Sequence, residues 1–218
     1  MADVKGWCVF IVLGTLFSGC QFIDTSKPTG WDGDLGGDGV QVNSTLFSED
    51  ETAGVIIFET NDEQYSDPYG SSFWYPVEDS DQQPFTEWTV SAAKSSGNRN
   101  AGFGIVFCHS VDEDSGEERM LSIMIRTDRY YQIASIVGTE YAPNTSWTQS
   151  SAIYGTGLFN ELSVRRAPDG IFTLYINNQK ITDFEYSGFS GGSQGYLVVV
   201  SPLEDFPDVP VNVSFKTE

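Results

Sequence analysis

Apolar and polar residues alternate along much of this chain with a period of two. Residues 103–107, 121–125, 172–176 and 211–215 each place apolar side chains at every second position. This period puts the apolar side chains on one face of a β-strand, whereas a helix repeats its apolar positions every three to four residues. No window of about a dozen residues carries such a helical stripe. The pattern therefore predicts a chain built from strands.

Turn-forming residues divide the chain after residue 39 into eleven predicted strands. These strands are Val40–Phe47, Val55–Glu59, Ser72–Val77, Thr86–Ala93, Phe103–His109, Met120–Arg126, Tyr130–Val137, Leu158–Arg166, Ile171–Asn177, Gly195–Val200 and Val211–Lys216. Residues 167–170, Ala-Pro-Asp-Gly, form a strong turn signal between two of them. Strands without helices must bury their apolar faces against one another. The fold class is therefore predicted to be all-β, an antiparallel β-sandwich or jelly roll.

Charge limits the classes of partner that the chain can bind. Its 218 residues contain 31 Asp and Glu but only 11 Lys and Arg, which gives a net charge of −20. Nucleic-acid binding requires clustered cations, so this excess of carboxylates excludes nucleic acid as a partner. Hydrophobic residues make up 39% of the chain, which is enough to build a core and excludes disorder along its whole length.

The first 19 residues are predicted to be a signal peptide. Residues 7–17 form an uncharged apolar run of 11 residues, where a membrane-spanning helix needs about 20. The run ends in Leu-Phe-Ser-Gly-Cys at residues 16–20, which resembles the lipobox of bacterial lipoproteins. The resemblance implies that the thiol of Cys20 carries diacylglycerol and that Cys20 becomes the first residue. The family usually has Leu where this chain has Phe17, and an ordinary secretory signal cleaved near Gly19 is the alternative.

Residues 20–39 are predicted to be the lipidated cysteine and a flexible tether. Residues 21–39 are rich in Gly, Asp, Ser and Thr and have no apolar period, which is typical of a linker. Acyl chains on Cys20 would hold an exported protein on the bacterial cell envelope, at the outer or the cytoplasmic membrane. The aspartates of the tether lack the spacing of an EF-hand calcium loop. The sandwich domain is then predicted to span residues 40–218.

The three cysteines predict a domain without a disulfide. Cys8 lies in the predicted signal peptide and Cys20 would carry the lipid, which leaves Cys108 alone. A domain of this size can form a sufficient core without a disulfide. Cys108 follows apolar Val106 and Phe107, so we expect it to be a small buried hydrophobic residue.

Two segments late in the chain carry the motifs of a known superfamily. Residues 160–165 read NELSVR, and residues 172–180 read FTLYINNQK. This order resembles the concanavalin A-like lectin and glucanase superfamily, especially its laminin-G-like jelly rolls, in which a hairpin of the type fxfylNGxxv follows a strand of the type NxLxVrR. The resemblance covers residues 40–218 and implies a jelly-roll fold. Its motifs are structural rather than catalytic, so they do not imply an activity. Asn178 stands where the family usually has Gly, and because Asn tolerates positive φ the turn is expected to form.

The laminarinase-like enzymes of the same superfamily hydrolyse glucans with a strand motif, E-x-D-x-x-E, that supplies two carboxylates. The nearest match, Asp112–Glu117, begins with Asp and contains Ser-Gly. Because it joins two apolar strands, we predict an acidic hairpin loop.

His109, the only histidine, lies on the core-side parity of its strand and is predicted to be structural rather than a general base. One His and one Cys in the mature domain cannot form a zinc-type cluster, whereas calcium stays open as a cofactor because lectin-like sandwiches often carry it.

Sugar recognition would combine aromatic faces with planar hydrogen-bonding side chains. The candidate ligand-binding residues are Trp74, Tyr130, Tyr131, Tyr141 and Trp147. In the adjacent pair Tyr130–Tyr131, one ring must face the core and the other must face outwards. Core packing explains each of these rings taken singly. As a set, however, the rings lie near turn residues, and this favours an aromatic binding platform.

These observations give one leading hypothesis and two alternatives. The leading hypothesis is a membrane-anchored, exported lipoprotein whose β-sandwich is a non-catalytic binding module, with carbohydrate as the expected ligand. The first alternative is a glycoside-processing enzyme, which two carboxylates about 5–9.5 Å apart in an aromatic groove would indicate. The second is an envelope protein that makes only protein contacts, which a broad apolar patch without a groove would indicate.

Overall fold

Two antiparallel sheets of seven strands each form a β-sandwich. The computed structural model describes residues 46–61, 71–138, 140–200 and 209–217. These ranges contain no helix among their secondary-structure elements, and so none that is long and apolar enough to cross a membrane. The prediction of an all-β antiparallel sandwich is confirmed. The predicted signal peptide, Cys20 and the tether lie outside the described ranges.

The two sheets are named A and B. Sheet A contains, in spatial order, β1 (Phe47–Asp50), β2 (Val55–Thr60), β14 (Val211–Thr217), β4 (Glu87–Ser96), β10 (Asn160–Arg166), β11 (Phe172–Ile176) and β12 (Gln179–Phe184). Sheet B contains β3 (Ser71–Pro76), β13 (Ser193–Val200), β5 (Phe103–Val111), β6 (Glu118–Ile125), β7 (Tyr130–Val137) and β8 (Glu140–Pro143), and the short β9 (Thr148–Gln149) also pairs with β7.

The main core lies between the sheets and follows the period of two. Phe103 pairs with Ile125 and Ile105 with Ile123 across β5 and β6, and all four side chains are buried in the core. Aromatic rings join the two layers across the sandwich. The rings of Tyr196 on β13 and Phe215 on β14 stack with their centroids 4.6 Å apart.

The outer faces of the two sheets differ in polarity. Sheet A presents polar side chains, such as Glu87 and Thr89 on β4 and Arg165 on β10, which alternate with buried apolar ones. Sheet B carries a second apolar cluster on its outer face. The members of this cluster are Trp74, Ala101, Val106, Met120, Met124, Ala134, Ile136, Tyr141, Leu197 and Val199. Trp147 packs against the cluster, so sheet B has apolar side chains on both of its faces.

A β-bulge at Cys108 moves His109 to the outer face of sheet B. Cys108 has a φ of 54°, and the register between β5 and β6 shifts between Phe107 and Ser110. The prediction that His109 lies on the core-side parity is therefore wrong, because the extra residue of a bulge breaks the strict alternation. The His109 ring lies 4.7 Å from the Trp74 ring. Cys108 stays in the main core, so its predicted role as a buried hydrophobic residue is confirmed.

Strand boundaries were predicted less well than the fold class. The short strands β8 and β9 and the polar strand β12 were not predicted. Leu158 and Phe159, which were assigned to a strand, lie in the loop before β10. Of the strand predicted at residues 40–47, residues 40–45 lie outside the described ranges. The turn between β11 and β12 forms as expected, because Asn177 and Asn178 both adopt positive φ, 51° and 62°.

Candidate functional site

Four of the five predicted ligand-binding aromatics lie on the outer face of sheet B. Trp74 and Tyr141 belong to the apolar cluster on that face and Trp147 packs against it, while Tyr130 lies at its edge, at the start of β7. Tyr131 points into the main core, so the adjacent pair divides between the two faces as expected. Trp74 and Tyr141 are buried, whereas Tyr130 and Trp147 are only partly buried.

Arg126 links these two partly exposed rings. Its guanidinium carbon lies 4.9 Å from the centroid of the Trp147 ring and 5.2 Å from that of the Tyr130 ring. Arg126 Nε donates a hydrogen bond to Asp128 Oδ1 at 3.0 Å, and Nη2 donates to Asp128 Oδ2. Nη2 also donates to Asn100 Oδ1 at 3.2 Å. These five residues, Asn100, Arg126, Asp128, Tyr130 and Trp147, are called the Arg126 site.

Local chain geometry explains how the site is assembled. Ile125 is the last inward-facing residue of β6, so the next side chain, Arg126, points outwards. A tight turn with Arg129 at a φ of 73° returns the chain, and Arg126 N donates to Tyr130 O at 2.9 Å. The Trp147 indole covers Gly102, where a Cβ atom would lie 3.1 Å from Trp147 Cη2. A side chain at position 102 would therefore push against the indole.

The Arg126 site keeps hydrogen-bonding capacity for a ligand. Of the five N–H donors of a guanidinium, three are used by Asp128 and Asn100, and the two on Nη1 have no acceptor among the described residues. The Arg126 side chain is 17% exposed. The site combines a fixed guanidinium fork with two aromatic rings and with carboxylate and amide oxygens. It therefore offers both the stacking surface and the hydrogen bonds that a sugar requires.

Buried polar groups hold the loop that carries Trp147. Tyr141 Oη donates to Gln132 Oε1 at 2.7 Å, and Gln132 Nε2 donates to Thr145 O at 3.2 Å. Burial raises the pKa of the Tyr141 phenol above its ordinary value, so it stays protonated and acts as a donor at neutral pH. Tyr141 therefore supports the loop from below and does not itself contact solvent.

The outer face of sheet A forms a hollow of about 670 Å³. Arg165 lies with its guanidinium carbon 5.1 Å from the Tyr175 ring and bonds Glu87 at 2.8 Å. The other carboxylate of this hollow, Glu161, is four residues from Arg165 on β10, and Glu87 is level with Arg165. Four residues of strand span about 13 Å between backbone positions, and the Glu87 carboxylate is occupied by its ion pair with Arg165.

The segment nearest to a glucanase motif forms a loop. Asp112–Glu117 lies mostly in the turn between β5 and β6, where Asp112 Oδ1 accepts hydrogen bonds from Ser115 N and Oγ, each at 2.8 Å. These bonds lower the pKa of Asp112, so it is an ionised turn-capping residue at neutral pH. The prediction of an acidic hairpin loop is confirmed.

His109 and Cys108 lack the surroundings of catalytic groups. Burial lowers the pKa of His109, and its Nε2 lies 3.8 Å from Glu118 Oε1 without a hydrogen bond. Burial raises the pKa of Cys108 to about 12, so its thiol is not ionised at neutral pH. Among the residues that the structure describes, no three His, Cys, Asp or Glu side chains gather closely enough to hold a metal ion.

Three residues of the Arg126 site, Asn100, Arg126 and Asp128, are not among the site residues that the sequence predicts. The sequence pattern places Arg126 at the end of a strand, and neither Asp128 nor Asn100 belongs to the predicted site. The stretch Arg-Thr-Asp-Arg-Tyr at residues 126–130 could have suggested Arg126 and Asp128, because it places an arginine and an aspartate in a turn next to an aromatic pair. Their contact with Trp147 could not be read locally, because 20 residues separate Arg126 from it along the chain.

Solved structures share the fold. No protein-family model matches the chain, and no curated protein is significantly similar in sequence. The carbohydrate-binding module CBM66 from Bacillus subtilis aligns with a TM-score of 0.53 at 10% identity, over 78% of this chain and 87% of the module. A Bacillus licheniformis beta-glucanase aligns with a TM-score of 0.55 at 7% identity, over 80% and 81%. A prokaryotic beta-1,3-1,4-glucanase derived from a mouse hindgut metagenome gives 0.57 at 10% identity, over 80% and 82%. The chain therefore has the concanavalin A-like jelly-roll fold of glucanases and carbohydrate-binding modules.

Proposed function

We propose that this protein is an exported, lipid-anchored lipoprotein whose β-sandwich binds carbohydrate without hydrolysing it. The observation that carries the proposal is the Arg126 site, in which a fixed guanidinium lies between the partly exposed rings of Trp147 and Tyr130. Sugar rings stack on such aromatic faces, and sugar hydroxyls can accept hydrogen bonds from the Nη1 donors of Arg126. The fold adds support, because a carbohydrate-binding module shares it.

The arrangement of carboxylates supports binding rather than hydrolysis. On the outer face of sheet B, the positions that alternate with core residues on β5, β6 and β7 carry one carboxylate, that of Glu118, which lies beside His109. The other outward positions on these strands are occupied by Gly104, Val106, Met120, Ser122, Met124, Gln132, Ala134 and Ile136. On sheet A, the Glu87 carboxylate is paired with Arg165, and the backbone positions of Glu87 and Glu161 are four residues apart along the strand direction. The Arg126 site itself contains one carboxylate, that of Asp128, and not the pair that glycoside hydrolysis requires.

The anchor is the second part of the proposal. It depends on the apolar run at residues 7–17 and on the lipobox-like sequence that ends at Cys20. Acyl chains on Cys20 would hold the domain at a bacterial membrane, outer or cytoplasmic, because each buried methylene contributes about 0.8 kcal/mol. The test is metabolic labelling with a tagged fatty acid. Wild-type protein is expected to carry the label and Cys20→Ala to lack it, and an unlabelled wild type would remove the anchor from the proposal.

A glycan array tests the binding function directly. All fourteen strands lie after residue 46, so the chain from residue 20 onwards, with Cys20→Ser, contains the whole described fold. We expect it to bind a defined subset of glycans. Trp147→Ala should weaken this binding by roughly tenfold, because it removes the larger of the two stacking surfaces. Arg126→Lys keeps the charge but loses the planar fork, and it should weaken binding as well.

A matched variant on the other sheet distinguishes the Arg126 site from the hollow on sheet A. Tyr175→Ala removes the aromatic ring of sheet A and leaves the Arg126 site unchanged, so it should bind glycans like the wild type. Loss of binding in Tyr175→Ala with retention in Trp147→Ala would move the site to sheet A. Release of reducing sugars from a bound glucan would instead show that the protein is an enzyme.

A further inference from the structure

Lys94 on β4 is a buried lysine whose amine binds two backbone carbonyls. The residue is 1% exposed, and its Nζ donates hydrogen bonds to Asn98 O at 2.7 Å and to Ala101 O at 3.1 Å. No Asp or Glu of the described ranges forms an ion pair with it, although a fully buried lysine normally has a charged partner. Lys94 therefore binds the backbone of residues 97–102, the connection from β4 to β5, which is called the 97–102 loop.

The 97–102 loop supplies two contacts of the Arg126 site. Asn100 Oδ1 accepts the hydrogen bond that Arg126 Nη2 donates at 3.2 Å. Gly102 lies against the Trp147 indole, since a Cβ atom at Gly102 would lie 3.1 Å from Trp147 Cη2. The position of this loop therefore affects both the guanidinium and one of the two stacking rings.

Hydrogen bonds within the loop connect Lys94 to Asn100. Asn98 O accepts from Lys94 Nζ and also from Ala101 N at 3.2 Å, while Asn98 Oδ1 accepts from Asn100 N at 2.9 Å. Gly97 begins the loop with a φ of 103°, and a Cβ atom there would lie 3.3 Å from Lys94 Cε. The loop thus packs directly on the Lys94 side chain, so a displacement of Nζ would displace Asn98 and, with it, Asn100.

The number of acceptors around Nζ fits a neutral amine. An ammonium group has three N–H donors and a neutral amine has two, and the described residues offer Nζ the two carbonyls of Asn98 and Ala101. Burial, and after it the charge of Arg126, lowers the pKa of Lys94 to about 7. Uptake of a proton would leave a buried donor without an acceptor among these residues, and it would place a second positive charge near Arg126.

The described elements that contact Lys94 present uncharged residues to it. Lys94 pairs with Val213 on β14, and Gly157 N donates to Lys94 O at 2.8 Å. Besides Arg126, the charged side chains of the neighbouring described segments are Arg99, Asp128 and Arg129 and, on the outer face of sheet A, Glu59 and Glu161. Residues 62–70 and 201–208 contain six Asp and Glu and lie outside the described ranges. Assigning a pH effect to Lys94 therefore requires a substitution of Lys94 itself.

We propose that Lys94 is a positioning residue of the Arg126 site, which as a neutral amine holds the 97–102 loop so that Asn100 binds Arg126 and Gly102 lies against Trp147. This inference rests on the proposed function, because it says what keeps the carbohydrate site in shape. When Lys94 takes up a proton, the loop must move to supply a third acceptor or to admit water, and Asn100 and Gly102 move with it. Carbohydrate binding should therefore strengthen as the pH rises through neutrality.

Nuclear magnetic resonance tests the role of Lys94 without a ligand. The ¹⁵N-labelled chain from residue 20 onwards, with Cys20→Ser, is titrated between pH 6 and 8.5, and the indole N–H of Trp147 and the Nε–H of Arg126 are followed. We expect both signals to shift with a midpoint near pH 7 in this parent chain and to stay constant in Lys94→Met. His109→Gln removes the only histidine and should titrate like the parent. Signals that do not shift in the parent, or that shift equally in Lys94→Met, would overturn the proposal.

The glycan array, run at pH 6 and at pH 8, tests the consequence for binding. We expect the parent chain to bind its glycans about fivefold more tightly at pH 8. Lys94→Met should bind weakly and equally at both pH values, because it has no donor for the loop carbonyls, and thermal unfolding checks that it folds. Glycan binding by the parent that is equal at pH 6 and pH 8 would overturn this inference and leave the proposed function in place. If the parent binds no glycan, the proposed function fails, and the resonance titration still decides whether Lys94 positions Arg126 and Trp147.

Discussion

The side-chain amide of Asn177 donates a hydrogen bond to Asn160 Oδ1 at 3.0 Å. Asn177 Nδ2 also donates to Ala152 O at 2.7 Å, and its Oδ1 accepts from Glu161 N at 2.9 Å. Two asparagines therefore connect the turn between β11 and β12 to the start of β10 and to the loop between β9 and β10. Polar side chains therefore help to organise this end of the sandwich, together with Ala152 and Ile153 of the same loop, which are buried in the main core.

Replacing Asn160 should destabilise the domain. Asn160→Ala removes the acceptor for Tyr154 N and for one hydrogen of Asn177 Nδ2, and it leaves buried donors without partners. We expect the free energy of unfolding to fall by roughly 2–4 kcal/mol, measured by urea denaturation. Asn144→Ala, at an exposed position, should change it by less than about 0.5 kcal/mol. Equal effects of the two substitutions would contradict the role of Asn160.

The sequence predicts those features that depend on neighbours along the chain. The period of two identified the inward faces of β5 and β6, and the tolerance of Asn for positive φ explained the turn at Asn178. The bulge at Cys108 was missed because no Gly or Pro marks it, and the error changed the face assigned to His109. The contact of Arg126 with Trp147 depends on how a distant loop folds back over sheet B, which no local pattern encodes.

Lys94 should make stability depend on pH near neutrality. Lys94 Nζ is buried and donates to Asn98 O at 2.7 Å and to Ala101 O at 3.1 Å, and a neutral amine has two N–H donors for these two acceptors. Burial, helped by the charge of Arg126, lowers the pKa of Lys94 to about 7. Above that pH the unfolded chain binds one proton more than the folded one, so stability rises with pH until the ordinary pKa of lysine.

The measurement is the free energy of unfolding in urea between pH 7 and 8.5. We expect an increase of roughly 1 kcal/mol per pH unit in the wild type. Lys94→Met keeps the length of the side chain and removes the titrating group, so its stability should be nearly independent of pH over this interval. A slope that persists in Lys94→Met would assign the effect to another group.

Cys108 should react with thiol reagents only when the protein unfolds. Its thiol is fully buried, and its pKa of about 12 leaves almost no thiolate at pH 8. In the chain from residue 20 onwards with Cys20→Ser, it is the only cysteine. Iodoacetamide should therefore label the protein in urea but not in buffer, as read by mass spectrometry. Val111→Cys in a Cys108→Ala background gives an exposed thiol as the control, and rapid labelling of Cys108 in buffer would contradict its burial.

Gly195 leaves room for the Trp74 indole to pack against the backbone on the outer face of sheet B. A Cβ atom at Gly195 would lie 2.6 Å from Tyr75 O and 2.8 Å from Trp74 Cε3, so Gly195→Ala must displace the indole from its contact with His109. We expect a loss of about 2 kcal/mol or more in unfolding free energy and a changed near-ultraviolet circular dichroism spectrum. Gly155→Ala is the matched control, because the nearest atom to a Cβ there is Thr127 O at 3.9 Å. Unchanged stability and spectrum in Gly195→Ala would mean that Trp74 does not lie over this glycine.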